Sequence, residues 1–140
     1  MQLRWRRKGI TAERRLVKML SRVPGNYVFR VPVSGGRTAH NSRTAFPDVF
    51  LVNNEVGEIV AFEVKSTSSR KVRVRREQLV KLFKFLDAFK RYERRVAVVA
   101  VWFTSESKWV FRKVEESFPL TSMTVSCEDE SDWEPPGLKL

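Results

Sequence analysis

Residues 47–65 read PDVFLVNNEVGEIVAFEVK, two short apolar runs on either side of a turn rich in Asn and Gly. This pattern predicts a β-hairpin with a loop somewhat longer than the tightest type. Because side chains alternate along a strand, Glu63 and Lys65 face the same side of the sheet. Pairing of the two strands brings Asp48, at the start of the first strand, beside Glu63. The hairpin therefore predicts two carboxylates and an ammonium on one surface.

Two carboxylates and an ammonium on one surface favour metal-assisted hydrolysis. Mg²⁺ prefers oxygen ligands, needs few of them from the protein and keeps several waters. A water activated by the ion and close to a lysine can attack a phosphodiester. The alternative is that Glu63 and Lys65 form an ion pair on a solvated sheet surface, which contributes little stability. The Pro47-Asp48 pair favours the metal site, because an ion pair needs no second carboxylate.

Length and composition limit the class of protein. The 140 residues suit one domain. The single cysteine, Cys127, excludes an internal disulfide and a cysteine-built zinc cluster, and the single histidine, His40, excludes a site with two histidines. The chain has no apolar run of membrane-spanning length and no signal-peptide segment behind its basic N-terminus. We therefore expect a cytoplasmic, nucleoid-associated protein without a membrane partner.

Charge is distributed unevenly along the chain, whose net charge is +11. Residues 1–22 and residues 65–84 each hold eight Arg or Lys against one Glu, whereas residues 115–134 hold seven Asp or Glu and no base. A basic body predicts a polyanionic partner, and nucleic acid is the default. A basic membrane-surface protein is the competing interpretation, but no strongly amphipathic basic helix of the membrane-lying type is present.

The order of predicted elements indicates a fold class. We predict, in sequence order, a helix at 9–23, a strand at 27–31, the hairpin, a helix at 75–92, and strands at 96–103 and 108–112. This order predicts an α/β fold with a mixed sheet flanked by helices, in a single domain. The loop at 32–46 contains Ser34-Gly35-Gly36, which can approach a phosphate through hydroxyl and backbone N–H groups. His40 in the same loop is more typical of a solvated residue.

Glu13 stands out within the first predicted helix. Its neighbours three and four positions away are all apolar, namely Gly9, Ile10, Leu16 and Val17. A carboxylate beside a buried face needs a metal or a basic side chain from elsewhere in the fold. The alternative is a first-turn Glu stabilised by the helix dipole.

The second predicted helix has a wide apolar surface. One stripe, which includes Leu79, Leu82 and Leu86, suits packing on the sheet. A second stripe contains Phe85 and Phe89, which we expect to contact a partner subunit. The alternative is that both rings belong to the intramolecular core.

These motifs resemble those of the archaeal Holliday junction resolvases, a branch of the restriction-endonuclease-like nucleases with a Pro-Asp … (Asp/Glu)-x-Lys motif. The Pro-Asp and Glu-x-Lys elements alone indicate only the superfamily, and the early Lys-Gly and Glu-Arg elements narrow the resemblance to resolvases. The matching segments are Arg7-Lys8-Gly9, Glu13-Arg14, Arg30, Ser34-Gly35, Pro47-Asp48-Val49, Glu63-Val64-Lys65-Ser66-Thr67 and Val74-Arg75-Arg76-Glu77-Gln78.

The resemblance implies a restriction-endonuclease-like fold and a homodimer that cuts four-way DNA junctions with Mg²⁺, for which Mn²⁺ can substitute. Residues 1–114 would form the nuclease domain, and residues 115–140 a C-terminal extension with a flexible acidic tail. The implied catalytic residues are Glu13, Ser34, Asp48, Glu63 and Lys65, of which Glu13, Asp48 and Glu63 would ligate the metal. The expected DNA contacts are Arg6, Arg7, Lys8, Arg30, Arg37, Arg43, Arg70, Lys71, Arg73, Arg75, Arg76 and Gln78.

The sequence is also compatible with two other functions. One is a repair or restriction-type nuclease of the same superfamily that acts on duplex or flap DNA. The other is a DNA-binding module that keeps the fold without catalysis. Replication or repair proteins are possible partners that the sequence does not identify.

Overall fold

A computed structural model describes residues 2–32, 45–117 and 120–135, and for residues 2–8 it describes the backbone alone. The elements follow each other in the order α1 (Gln2–Leu20), β1 (Asn26–Arg30), β2 (Val49–Asn53), β3 (Glu58–Thr67), β4 (Lys71–Val74), α2 (Arg76–Leu86), β5 (Arg94–Phe103), β6 (Lys108–Val114) and β7 (Met123–Ser126).

The main sheet has five strands in the order β1-β2-β3-β5-β6. β3 pairs with β5 in parallel, and the other neighbours pair antiparallel. β3 and β5 lie at the centre, which explains their long apolar runs, since a strand covered on both faces has no polar side. β4 and β7 form a separate two-stranded sheet. The predicted mixed α/β architecture is confirmed.

The two helices cover opposite faces of the main sheet, and the alternation of β3 assigns each residue to a face. Val60 and Phe62 pack in one buried cluster with α1. Ile59 and Ala61 pack in the other cluster with α2. Glu63 follows the odd-numbered positions and so points toward α2. Neither of the described helices is long and apolar enough to cross a membrane.

The turn of the β2–β3 hairpin is built by side-chain hydrogen bonds. The backbone N–H groups of Glu55 and Val56 donate to Asn53 Oδ1 at 3.0 and 3.3 Å, and Gly57 has a φ of +68°. This arrangement is an Asx-type turn, which Asn favours because its side chain reaches its own backbone two residues on. The register that results places Val49 opposite Phe62. The predicted hairpin is confirmed.

The predicted helix boundaries were wrong at three ends. α1 begins at Gln2 rather than residue 9, since Gln, Leu, Arg and Lys before residue 9 all favour helix. It ends at Leu20 rather than residue 23. α2 ends at Leu86 rather than residue 92, because the backbone N–H of Phe89 donates to Leu86 O and that of Tyr92 donates to Phe89 O. These short i→i+3 turns replace the helix and lead the chain into β5.

The expectation of a flexible acidic tail is wrong for residues 120–135. β7 pairs antiparallel with β4. Trp133 is 5% exposed, and its ring lies 5.3 Å from that of Phe62 and 5.4 Å from that of Phe111. Arg112 of β6 forms ion pairs with Asp129 at 2.8 Å and with Asp132 at 3.4 Å. Two of the acidic residues therefore share a basic partner, and a buried tryptophan anchors the segment to the sheet.

Candidate active site

Asp48, directly before β2, is fixed between the end of β1 and β3. Its backbone N–H donates to Phe62 O at 3.0 Å, and its carbonyl accepts from the Val31 N–H at 2.9 Å. Its side chain also takes part, because Oδ2 accepts a hydrogen bond from the backbone N–H of Val64 at 2.8 Å. The strand pairing predicted for Asp48 is confirmed, and it orients the carboxylate toward the end of β3 that carries Glu63.

Glu63 is a buried carboxylate, only 3% exposed. Lys81 Nζ lies 2.9 Å from its Oε1 and Lys65 Nζ lies 3.6 Å from its Oε2. Gln78 Nε2 donates to Oε2 at 3.1 Å. Burial raises the pKa of Glu63, the negative charge of Asp48 raises it further, and the two ammonium groups oppose both effects. The predicted Glu63–Lys65 pair exists, but it does not lie on a solvated surface.

One oxygen of Glu63 has an unusual environment. Oε1 is fully buried, and in the described part of the chain its one partner is the Lys81 ammonium at 2.9 Å. A buried carboxylate oxygen whose charge is offset by a single mobile ammonium can take a metal cation in place of that ammonium.

Glu13 lies midway along α1 and reaches toward the same group of acids. Arg30 Nη1 of β1 donates to its Oε1 at 3.5 Å, so a basic side chain from elsewhere in the fold partners it, as the sequence predicted. Burial raises the pKa of Glu13 to about 7, with a further contribution from Asp48 and an opposing one from Arg30. The first-turn alternative is wrong, because α1 begins at Gln2.

Two of the three carboxylates, those of Asp48 and Glu63, are arranged to bind a hard cation, and Glu13 is not grouped with them as a third ligand. Across residues 2–32, 45–117 and 120–135, no three His, Cys, Asp or Glu side chains are grouped to hold a metal ion. Mg²⁺, however, is often bound through one or two carboxylates, with waters filling the other positions. Asp48 and Glu63 supply such an oxygen-only pair from adjacent strands, and Glu13 lies within electrostatic range of both.

Several predicted site residues fall outside the described part of the chain. These are Ser34, Arg37, His40 and Arg43, together with the side chains of Arg6, Arg7 and Lys8.

Two residues predicted as DNA contacts also contact the carboxylates. Arg30 contacts Glu13, and Gln78 donates to Glu63 while its Oε1 accepts from the backbone N–H of Arg75. Both side chains lie beside partly or fully buried acids that need donors, and this need directs them inward.

The basic strand β4 presents its charges as the sequence predicted. Lys71, Arg73 and Arg75 are exposed, whereas Val72 and Val74 point inward. This alternation places three cationic side chains on one open side of an extended segment, in a row that suits a phosphate backbone.

The C-terminal segment lies along this basic strand and its flanks, which the sequence did not predict. It contacts three of the arginines. Arg70 forms an ion pair with Glu128 at 2.8 Å. Arg73 Nε donates a hydrogen bond to Ser122 Oγ at 3.3 Å, and Arg76 Nε donates one to Leu120 O at 2.8 Å. These contacts orient the arginines from the side of β7, and all three side chains stay exposed to solvent.

Sequence reasoning missed Lys81 as a site residue. Burial lowers the pKa of Lys81, but the charges of Glu63, Asp48 and Glu13 outweigh burial, so that its pKa is raised. The signal was present, because Lys81 follows Gln78 by one helical turn and interrupts an apolar stretch of α2.

Residues 4–125 match the family model described as archaeal Holliday junction resolvase (Hjc). The chain belongs to this family. Among its relatives, this resolvase-family chain is 36% identical over 108 residues to crossover junction endodeoxyribonuclease Hje of Sulfolobus acidocaldarius, which covers 77% of the chain and 70% of that protein. It is 32% identical over 124 residues to the Hje protein of Saccharolobus islandicus, covering 86% of the chain and 84% of the relative.

A solved structure shares the fold of this family member. The 1.6 Å resolution structure of Archaeoglobus fulgidus Hjc, a Holliday junction resolvase from an archaeal hyperthermophile, superposes with a TM-score of 0.62 and 20% sequence identity. The match covers 85% of this chain and 84% of the other. The fold implied by the resemblance is confirmed.

Proposed function

We propose that this protein is a structure-selective endodeoxyribonuclease that resolves four-way DNA junctions. The observation that carries the proposal is the buried Glu63 carboxylate, which is placed beside Asp48 and Lys65 in a chain of the resolvase family. The relatives named crossover junction endodeoxyribonuclease support the same activity. A chromosomal DNA substrate would place the protein in the cytoplasm with the nucleoid.

The proposed cofactor is Mg²⁺, with Mn²⁺ as a substitute, held by Asp48 and Glu63 with Glu13 as a further acidic group. Bound there, the ion would supply an acidified water and offset charge on the phosphate. The chain's own groups do the rest. The Val64 N–H orients Asp48, and the Lys65 ammonium offsets charge on the scissile phosphate. Glu13, whose pKa is about 7, can hold a proton at its carboxylate.

DNA binding is assigned to the exposed bases around β4. Their side chains contact phosphates and carry no base information directly, which suits an enzyme that recognises DNA shape. Ser34 is proposed as a further catalytic residue, and Arg6, Arg7, Lys8, Arg37 and Arg43 as further phosphate contacts.

We propose a homodimer, and a row of aromatic side chains across β1, β2 and α2 supports it. Ring centroids lie 5.0 Å apart for Phe29 and Phe50, 5.4 Å for Phe50 and Phe85, and 4.9 Å for Phe85 and Phe89. Phe29 is 48% exposed. Phe85 and Phe89 pack partly on the core. The apolar surface that stays exposed therefore lies closer to Phe29 than to Phe85 or Phe89.

This row of aromatic side chains is suited to a two-fold interface. Exposed aromatic surface of this kind is stabilised by a second copy. Two paired cuts on a junction need two active sites in matched orientation, which a two-fold dimer supplies.

The decisive experiment compares cleavage of a four-way junction with cleavage of a linear duplex of the same sequence. The wild-type protein should cut the junction in Mg²⁺ and leave the duplex nearly intact, and Asp48→Asn should cut neither. Equal cleavage of both substrates would instead indicate a nuclease for duplex or flap DNA. Binding of the junction without cleavage in Mg²⁺ or Mn²⁺ would indicate a non-catalytic module.

A further inference from the structure

Lys81 makes the shortest ion pair to the carboxylate cluster. Its Nζ lies 2.9 Å from Glu63 Oε1, compared with 3.6 Å between Lys65 Nζ and Glu63 Oε2. Apart from Lys81, no donor among the described residues contacts the buried Oε1. The Lys81 ammonium therefore covers the oxygen that is best suited to ligate a cation.

Lys81 interacts with all the acids of the cluster, since the negative charges of Glu63, Asp48 and Glu13 all act on its ammonium. Among the described side chains, the acids Glu13, Asp48 and Glu63 face the cations Arg30, Lys65 and Lys81. A divalent ion that binds Glu63 Oε1 is repelled by the Lys81 ammonium 2.9 Å from that oxygen unless the ammonium moves away.

The identity of the cation that moves follows from the contacts. Arg30 is bound to Glu13, and Lys65 approaches Oε2, the oxygen that also accepts from Gln78. Lys81 alone of these three approaches the oxygen without another donor. Its four-carbon stem allows the ammonium to swing while α2 stays in place.

We propose that Lys81 is a built-in counter-cation of the carboxylate cluster, and that a divalent ion binds Glu63 Oε1 by displacing the Lys81 ammonium. Lys81 is then a positioning residue, which holds the Glu63 carboxylate in place until the ion arrives. This inference rests on the proposed metal site of Asp48 and Glu63.

The test measures Mn²⁺ affinity directly, without DNA or turnover, by the electron paramagnetic resonance signal of free Mn²⁺. Lys81→Met removes the competing charge and should bind Mn²⁺ at least about tenfold more tightly than the wild type. Lys81→Arg keeps the charge and should stay close to the wild type. Lys84→Met, an exposed lysine on the same helix, is the matched control and should change nothing. The titrations of all four proteins are run at the same pH.

A second measurement uses the wild-type protein and does not depend on how a variant folds. In ¹⁵N-lysine-labelled protein, the Lys81 ammonium signal is assigned as the one that is missing from Lys81→Arg. Saturation with diamagnetic Mg²⁺ should shift this signal and speed its hydrogen exchange, because the ion pair to Glu63 is lost. The Lys84 signal should not change.

The outcomes distinguish a failure of the proposed Lys81 displacement from a failure of the proposed metal site. Unchanged or weaker Mn²⁺ binding by Lys81→Met, or a Lys81 signal that stays fixed while Mg²⁺ binds, overturns the displacement of Lys81 and leaves the metal site intact. Failure of both the wild type and Lys81→Met to bind Mn²⁺ overturns the metal site and the displacement together.

Discussion

The Asp48 side chain accepts a hydrogen bond from the backbone N–H of Val64, at 2.8 Å. Val64 lies between Glu63 and Lys65, so this bond ties one carboxylate to the backbone that carries the other two groups. The arrangement depends on the register of β2 and β3, in which Val49 is opposite Phe62. A slip of one residue would turn Glu63 to the face of α1 and separate the two acids.

Loss of either carboxylate of this pair should stop cleavage without preventing binding. Asp48→Asn and Glu63→Gln should each abolish junction cutting, and binding should stay the same or tighten because a negative charge near the phosphates is removed. Lys65→Ala should also lose cleavage. Single-turnover assays and gel-shift titrations measure the two effects. Exposed Glu77 offers the control Glu77→Gln, and near wild-type turnover by any of the three site variants would refute the assignment.

Glu13 should matter for chemistry more than for folding. Because the folded pKa of about 7 exceeds the ordinary value of 4.5, the folded protein keeps a proton that the unfolded chain has released. Stability therefore falls as the pH rises from about 4.5 to 7 and stays lower above it. Glu13→Gln removes this pH-dependent loss of stability, because the Gln side chain does not titrate.

The pH dependence gives the test of this prediction. In Mg²⁺, Glu13→Gln should lose most cleavage activity. Without divalent ions at pH 8, it should melt at a temperature equal to the wild type or a few degrees higher. The difference in melting temperature should disappear near pH 4.5, below which both states carry the proton. A variant that melts well below the wild type at pH 8 would show that Glu13 stabilises the fold instead.

The exposed bases of β4 should set the salt dependence of DNA binding. Each phosphate contact releases counterions, so the triple change of Arg73, Arg75 and Arg76 to Ala should flatten the slope of log affinity against log salt by up to about 0.9 per contact. Fluorescence anisotropy at several salt concentrations gives the slope. The same change at Lys84, Lys90 and Arg91, which are exposed near the far end of α2, is the control. Equal slopes for both triple variants would place the DNA elsewhere.

The C-terminal segment should contribute to stability. Trp133 is 5% exposed and packs on Phe62 and Phe111, so Trp133→Ala should lower the free energy of unfolding by about 3–5 kcal/mol. Denaturant titration measures the loss, and Glu134→Ala at an exposed neighbour is the control. A change within about 0.5 kcal/mol would mean that the segment is attached only loosely.

The aromatic row gives a separate test of assembly. Phe29→Glu alters a half-exposed ring and should yield a folded monomer that nicks junctions without paired cuts. Phe85→Glu combined with Phe89→Glu should also lower stability, because both rings pack against the core. Sedimentation and circular dichroism distinguish the two effects. Val56→Glu in the hairpin turn, 44% exposed, is the control for an added surface charge. A folded Phe29→Glu variant that stays dimeric would exclude this surface.

The sequence predicted the hairpin and the acids on it, because alternation and register are local rules that the Asn53 turn enforces. It predicted that Glu13 needs a distant partner, since its helical neighbours are apolar. It did not predict Lys81, because the direction of a helical side chain depends on where the helix crosses the sheet. It missed the packing of residues 120–135, because the partners of their acidic groups and of Trp133 lie on strands distant in sequence.

The pairing of β4 with β7 also has a consequence for biosynthesis. Lys71 pairs with Ser126 and Val74 with Met123, so β4 leaves the ribosome long before its partner strand does. Until then the nascent chain displays an unpaired edge, which is a template for aggregation with other chains. Lys71 and Arg73 on that edge repel an identical edge of another nascent copy. The cations that we assign to DNA binding thus also oppose aggregation of the chain before it has finished folding.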